Sequence, residues 1–600
     1  MFGHPRSLFV LFFAEMWERF SFYGMKALLI LYMVNYLVWN QEHASSVMAW
    51  YAGLVYCTPL LGGILADKVF GARWAVVIGG VLMAIGHFLL AFEPMPCFFA
   101  GLGFLIAGCG LLKPNISTQV GSMYLPDDTR RDSAFTIFYM GINLGAFIGP
   151  LVCDWLRSRY GFHYGFAAAG VGMVVGLIVY LLGMKSVMVR VAMVATGKDD
   201  GAVRPSTATP SANVPPRVRI DRIIVLLVIF LFVIVFWTAF EQAANVMTIW
   251  ADKHTNLHIF RTSEPEAVIG AETAISQAPA SWRDLEIGAG QLQCVNPFFV
   301  ITLAALFAWF WIWLDKRRKQ PSTPVKMTLG MLGMTLAYGV MLLAAQRENQ
   351  PSSAPLADLP GNVDLSQYGS TRLHHDPRSG TLRMNGVLTD LDWLRLLAES
   401  APKSYRENVD ELVSQAQRQA DRPGAAEAWK THITLSSDSP DPVPVGPLPD
   451  TVTWNATERT LTTTAAIPER DRLRLLAAAA QPTFRDAVTA IYRQSSLHRV
   501  TVLWLVLFYF VCTLGELCLS PVGLSLVTKL APPKHVGLMM GLWFLMTGGV
   551  ANFVAHKIGG GWGTMTPTAY FLIFGAVAAV AALLMIPLVG LLRRMMHGVQ

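Results

Sequence analysis

Residues 8–34 read LFVLFFAEMWERFSFYGMKALLILYMV. The run is long enough to cross a hydrocarbon core of about 30 Å at about 1.5 Å per residue. Yet it carries Glu15, Glu18, Arg19 and Lys26. These spacings stack all four charges on one helical stripe, together with Phe22. An ionisable group at the bilayer centre costs roughly 2.5–3.5 kcal/mol on insertion scales, so each must be paired, wet or functional. Arg19 pairs more naturally with Glu15, one turn back, than with its neighbour Glu18. The plain alternatives are a structural salt-bridge cluster or side chains that snorkel to the interface. Four charges on one stripe of one apolar helix argue against both. The same charges exclude a cleaved signal peptide, whose apolar core is uncharged.

The rest of the chain repeats the length but not the charges. Of 600 residues, 53% are hydrophobic and 14% charged, against about 25% charged in soluble proteins. That excludes a soluble enzyme, a disordered protein and a nucleic-acid binder. Apolar runs recur near 8–34, 47–66, 74–92, 98–123, 134–155, 164–184, 222–249, 292–314, 326–345, 500–522, 536–556 and 568–592. With the N-terminus inside, cytoplasmic segments gather about 21 Lys/Arg and the short outside loops about seven, as the positive-inside rule requires. The expected fold is therefore an all-α membrane protein of 12 spanning helices in two six-helix bundles, with both termini cytoplasmic. Seven cysteines form no CxxC and no metal-ligand spacing. They read as small hydrophobes, and neither a metal nor a cofactor is expected.

The expected organisation is a first bundle over 1–184, a cytoplasmic linker over 185–221, helices seven to nine over 222–345, an outside insert over 346–497 and helices ten to twelve over 498–600. The insert holds 16 Lys/Arg and 19 Asp/Glu, an ordinary soluble density. The chain's net charge of +7 thus divides into a basic membrane part and an acidic insert. The insert also repeats: TLRMNGVLTDLDWLRLLAESAPKSYRENVDEL from Thr381 matches TLTTTAAIPERDRLRLLAAAAQPTFRDAVTAI from Thr460, a period of 79. Each unit reads as a hairpin (RLHHDPRSGTLRMNG; VTWNATERTLTTTA) followed by two amphipathic helices, which predicts two small α+β modules.

Further polar groups lie in the apolar runs. GCGLLKPNIST (108–118) puts Lys113 before Pro114, where Asn115, Ser117 and Thr118 can bond freed carbonyls; its spacing is wrong for a phosphate loop. FYMGINLGAFIGP carries a Gly141–Gly145–Gly149 stripe for close helix approach, with Asn143 on another face. FWTAFEQ places Trp237 and Glu241 four residues apart; QLQCVNPFF holds Asn296, GELCLSPVG holds Glu516, and Trp543 sits among glycines. His87 and His556 read as packing residues. Pairing the acids with Arg19, Lys26 and Lys113 across the two halves is the cheapest solution, and such pairs break when the halves rock apart.

These residues resemble a known family. GxLADKxxGxR (Gly63 to Arg73) is the loop signature of the major facilitator superfamily. ExxERFxxYG (Glu15 to Gly24), GxGxxKPNIST (Gly108 to Thr118), FYxxINxG (Phe138 to Gly145), FWxxFEQ (Phe236 to Gln242) and GELCLSPVGL (Gly515 to Leu524) resemble the proton-coupled oligopeptide transporters. The resemblance implies a monomer that imports di- and tripeptides with protons by alternating access. It places Tyr23, Lys26, Tyr56 and Lys113 at the peptide carboxylate, and Asn143, Asn296 and Glu516 at its amine. It makes Trp237 and Trp543 pocket walls, Glu15, Glu18, Arg19 and Glu241 the proton-coupling groups, and Lys26–Glu241 and Lys113–Glu516 gating pairs. Three positions depart from the family: Lys26 stands for the usual Arg, Phe22 for a common Tyr, and Ala49 for the helix-two His of animal members. The alternatives are another small substrate (an amino-acid conjugate, an organic anion, nitrate) or a receptor acting through the insert, which leaves room for an unknown partner there.

Overall fold

The computed structural model describes residues 4–125, 128, 130–196, 215–258, 286–365, 372–420, 430–435, 451–532 and 536–597. The chain opens with α1 (Arg6–Leu31), α2 (Gln41–Leu65), α3 (Gly71–Leu90), α4 (Met95–Ser122), α5 (Arg130–Tyr160) and α6 (Phe162–Ala195). Extended Pro5 precedes α1, and the Asn40 side chain caps α2 by accepting from the His43 amide, satisfying one orphan donor. After α6 come α7 (Pro216–Phe240), α8 (Val246–His254), β1 (Thr255–Asn256), α9 (Val295–Lys316) and α10 (Thr323–Glu348). The apolar run 222–249 is therefore broken: Glu241–Ala244 form a 3₁₀ turn between α7 and α8. α6 also runs past 184 into the expected linker, of which residues 197–214 lie outside those described.

Among the described residues, eight helical stretches are long and apolar enough to cross a membrane, and one of them, Gln41–Leu90, contains both α2 and α3. α1 is kept off that measure by its own charges. In the first bundle α1 packs on α5 and α6, α3 on α4 and α6, and α2 on α4. The glycines of α5 make the first contact possible: a Cβ on Gly145 would run into the Met16 carbonyl and the Phe20 amide of α1. In the second bundle α10 packs on two later helices, α15 (Leu503–Leu530) and α18 (Pro567–Met595). α16 (Val536–Phe544), a π-helical turn and α17 (Ala551–Gly559) complete it.

The polar contacts between the bundles gather at one end, where α1 finishes and α2 begins. There Asn35 Nδ2 donates to Asp252 Oδ2 at 2.8 Å, and Lys557 Nζ donates to Ser46 Oγ at 2.6 Å. Ser45 and Asn245 exchange side-chain hydrogen bonds of 3.1–3.2 Å. The Gln291 amide donates to Asp154 Oδ2 at 3.2 Å.

The insert hangs from this same end. Its first unit is a sheet ordered β2 (Pro351–Pro355), β4 (Thr381–Asn385), β3 (Leu373–Asp376), followed by α11 (Asp390–Ser400) and α12 (Lys403–Ala420). Its second is β5 (Thr431–Thr434), β7 (Thr460–Thr463), β6 (Val452–Asn455), then α13 (Glu469–Ala477) and α14 (Pro482–Ser496). Each unit thus carries a third antiparallel strand beyond the expected hairpin.

The two units are interlocked. α14 of the second packs on β2 and β4 of the first, and α12 of the first packs on β5 of the second. Trp393 Nε1 donates to Thr489 Oγ1 at 3.3 Å, while Arg472 Nε donates to Asp410 Oδ1 at 2.7 Å. These are the same two positions, 79 residues apart, with the units exchanged. The insert is therefore built like a two-fold dimer within one chain, around a common core including Leu396, Tyr405, Leu475, Phe484 and Ile491.

Two contacts weld it to the membrane part. Glu348, at the end of α10, accepts from Trp250 Nε1 (3.2 Å) and the Val387 amide (3.4 Å) and contacts His254 Nδ1 at 2.8 Å. Val38, from the first bundle, is buried in the insert's core at φ 55°. Its carbonyl accepts from Arg395 Nη2 at 3.4 Å. A parallel pair of strands, β1 with β8 (Val500–Thr501), closes the junction.

Candidate functional site

The charged stripe of α1 is buried: Glu15, Glu18, Arg19 and Lys26 are each at most 5% exposed. Arg19 Nε lies 3.0 Å from Glu15 Oε1 and is also paired with Glu18. The Glu15 pairing that the spacing favours is present, and Glu18 shares the same guanidinium. Arg19 also faces the Phe22 ring at 5.3 Å, the cation–π partner that remains without a tyrosine hydroxyl. Beyond their ion pairs with Arg19, neither Glu18 nor Oε2 of Glu15 has a further hydrogen-bond partner among the described residues.

Lys26, two turns further along α1, reaches across to the second bundle. Its Nζ lies 2.8 Å from Glu241 Oε2, with both side chains nearly enclosed. Glu241 can make that reach because it stands at the break between α7 and α8, in the 3₁₀ turn. Next to it, Gln242 Nε2 donates to the Ala555 carbonyl at 2.7 Å and its Oε1 accepts from Tyr570 at 2.8 Å. This anchors the turn to α17 and α18.

Lys113 and Glu516 are not together. Lys113 Nζ stands 4.1 Å over the Tyr56 ring, and among the described residues no carboxylate lies within ion-pair distance of it. Its helix, α4, touches α1, so Lys113 shares the first bundle with the α1 cluster. Pro114 leaves the helix intact: Asn115 Nδ2 bonds the Leu111 carbonyl at 2.7 Å, and Ser117 and Thr118 bond those of Lys113 and Pro114. In the second bundle, Asn296 Nδ2 donates to Glu516 Oε2 and to Thr513 Oγ1, each at 2.9 Å. Glu516 has no cation within ion-pair distance among the described residues.

The remaining candidates are spread around these groups. Tyr23 packs edge-on to Phe22 at 5.3 Å. Asn143 donates to the Tyr139 carbonyl of its own helix at 3.0 Å. Trp237 packs edge-on to Phe240 at 4.9 Å, its Nε1 without a hydrogen-bond partner among the described residues. Trp543 lies against Gly523 and, at 6.0 Å, Phe230, within the second bundle. No group of three His, Cys, Asp or Glu among the described residues could hold a metal ion.

Charge counting summarises the chemistry. Arg19 and Lys113 balance Glu15 and Glu18, and Lys26 balances Glu241. Glu516 is left over, a buried carboxylate that must bind a proton or a cation to stay there. Thr513, Ser45 and Asn245 did not stand out in the sequence. Their signal was small polar side chains in apolar helices, too common to single out.

A profile of the POT family matches residues 73–190, 273–364 and 473–560. A peptide transporter of Yersinia enterocolitica is 34% identical over 417 residues, covering 60% of this chain and 77% of the relative. A di-/tripeptide transporter of Lactococcus lactis is 29% identical over 399 residues, covering 57% and 76%. The crystal structure of a mutant of the peptide transporter POT in complex with alafosfalin aligns with a TM-score of 0.61 at 28% identity, over 100% of this chain and 97% of that one. The fold is thus the major facilitator fold that the motifs implied, and the chain belongs to the POT family of membrane transporters.

Proposed function

We propose that the protein imports di- and tripeptides across the cytoplasmic or plasma membrane, together with protons, by alternating access. The observation that carries this is a pair of buried charged groups without an ion-pair partner among the described residues, Lys113 in one bundle and Glu516 in the other. A zwitterion needs one base and one acid at its two ends, and these are the groups left free to meet it. Lys113, with Tyr56, Tyr23 and Lys26, takes the carboxylate side. Glu516, with Asn296 and Asn143, takes the amine. Trp237 and Trp543 bound the side-chain space.

The two gating pairs stand in opposite states, as a rocking mechanism requires. Lys26–Glu241 is made, and the contacts of Asn35, Ser45 and Ser46 shut the same end. With the insert outside and both termini cytoplasmic, this is the inward-facing form. Protonation of Glu241 removes the carboxylate charge and frees Lys26, so the outer end loosens only when a proton has arrived. The Glu15–Glu18–Arg19 cluster, two carboxylates on one guanidinium, is the second place a proton can rest. Each proton moving with the peptide adds roughly 2.3 kcal/mol per 100 mV of membrane potential.

Uptake of a labelled dipeptide into proteoliposomes under an imposed inward proton gradient tests the reading. Gradient-driven accumulation that a protonophore abolishes is expected. Absent uptake, or uptake indifferent to the protonophore, refutes it and turns attention to other small substrates.

A further inference from the structure

We propose that Asn552 and His556, on α17, form a hydrated proton-transfer station beside the Lys26–Glu241 pair; this rests on the symport reading above. Both side chains are enclosed, at 1% and 0% exposure. All four of their polar atoms, Asn552 Oδ1 and Nδ2 and His556 Nδ1 and Nε2, lack a hydrogen-bond partner among the described residues. The large majority of buried polar side-chain atoms are bonded, and two neighbouring polar side chains left wholly unbonded offer the several partners a buried water needs.

Where the station faces follows from the helix. The Ala551 and Ala555 carbonyls are held by Thr238 and Gln242 of the α7 side. Phe553 meets Trp50 of α2 at 5.0 Å, and Lys557 bonds Ser46 of α2. At about 100° per residue, Asn552 and His556 point between those two faces, one turn apart and on the same side. α17 also packs on the 3₁₀ turn that carries Glu241, the partner of Lys26. The ionisable groups on the elements closely packed against α17 are Glu42, His43, Tyr51, Tyr56 and Cys57 on α2, Glu241 after α7, and Arg217, Arg219, Asp221 and Arg222 in the first turns of α7, with Lys557 on α17 itself. His87 on α3 shares the unbonded ring but has Met83, Ala84, Leu90 and Ala91 one turn away on either side. It lacks the second polar side chain.

Imidazole suits a relay. One ring nitrogen takes a proton from water on the insert side while the other releases its proton to water on the Glu241 side. The ring is left neutral in its other tautomer, and rotation or re-entry of water resets it. In this role the ring passes protons and does not store them. Glu241 receives the proton, and the ion pair to Lys26 opens.

The test compares gradient-driven dipeptide uptake with counterflow exchange, which needs no net proton movement, in proteoliposomes of wild type, His556→Gln and Asn552→Leu. For His556→Gln the ratio of driven uptake to exchange is expected to fall at least tenfold, with the external-pH dependence of driven uptake flattened. Asn552→Leu, which excludes water and leaves the ring, is expected to lower the ratio about threefold and serves alone should His556→Gln fail to fold. A wild-type ratio and pH profile in both variants, or equal loss in the two assays, overturns the station. A wild type that shows no gradient-driven uptake refutes the symport reading itself.

Discussion

Val38 joins two parts of the chain that must move relative to each other in a rocking transporter. It belongs to the first bundle, yet its side chain lies in the core of an insert carried by the second. Val38→Ala removes two methyl groups there. At about 0.8 kcal/mol per buried methylene equivalent, plus the cavity left behind, the loss is about 2 kcal/mol. The native backbone sits at φ 55°, a strained place for a β-branched residue. Alanine is less strained, which returns a fraction of that loss. The net, about 1.5 kcal/mol, is roughly tenfold in the equilibrium between docked and undocked insert. Hydrogen exchange in detergent reads this directly. The amides of Leu37 and Trp39, bonded to the Tyr32 and Met33 carbonyls, and those of 386–396 should both exchange about tenfold faster. The sheet amides of β7 should not change. Unaltered rates at both edges, or acceleration on one side only, would refute the claim that Val38 holds the two together.

Four shorter predictions concern the charges and the insert. Lys26→Ala strands Glu241, and breaking a buried pair costs about 3–5 kcal/mol; gradient-driven uptake should vanish while counterflow exchange survives in part, and equal loss in both assays would confine Lys26 to binding. Glu516→Ala should weaken peptides with a free amine about 10- to 100-fold, the worth of a charged hydrogen bond, in competition assays; the same loss for N-blocked peptides would contradict its amine role. Trp393→Ala removes a stack on Tyr492 at 5.0 Å and the bond to Thr489. The insert should lose about 3–5 kcal/mol, seen as a separate low-temperature transition in calorimetry; a thermogram identical to wild type would refute the shared core. Because α12 and α14 cover each other's sheets, deleting the second unit (430–497, rejoined by a Gly/Ser linker) should leave the first without protected amides; persistent protection over 373–385 would mean the units fold singly.

The sequence was most legible where chemistry and solvent disagree. A carboxylate in an apolar run is conspicuous whatever its partner, so Glu15, Glu18, Glu241 and Glu516 stood out before any geometry. Partners were harder, because pairing depends on which helices approach and in which conformational state. Lys26–Glu241 spans 215 residues of sequence. Lys113 shows the difficulty from the other side: the structure gives it an aromatic face and not a carboxylate, and no local pattern separates the two. The insert reveals the limit most plainly. Its period of 79 was readable because amphipathic helices carry their own spacing. The strands β2 (PSSAP) and β5 (THIT) were not, since short edge strands with Pro, Ser and Thr owe their form to the sheet they join. Nor could the period say that each unit's second helix serves the other's sheet, for a swapped and an unswapped pair have the same hydrophobic pattern and differ only in connection. That distinction lies in tertiary contacts alone, and it turns two copies of one module into a single cooperative body resting on Val38.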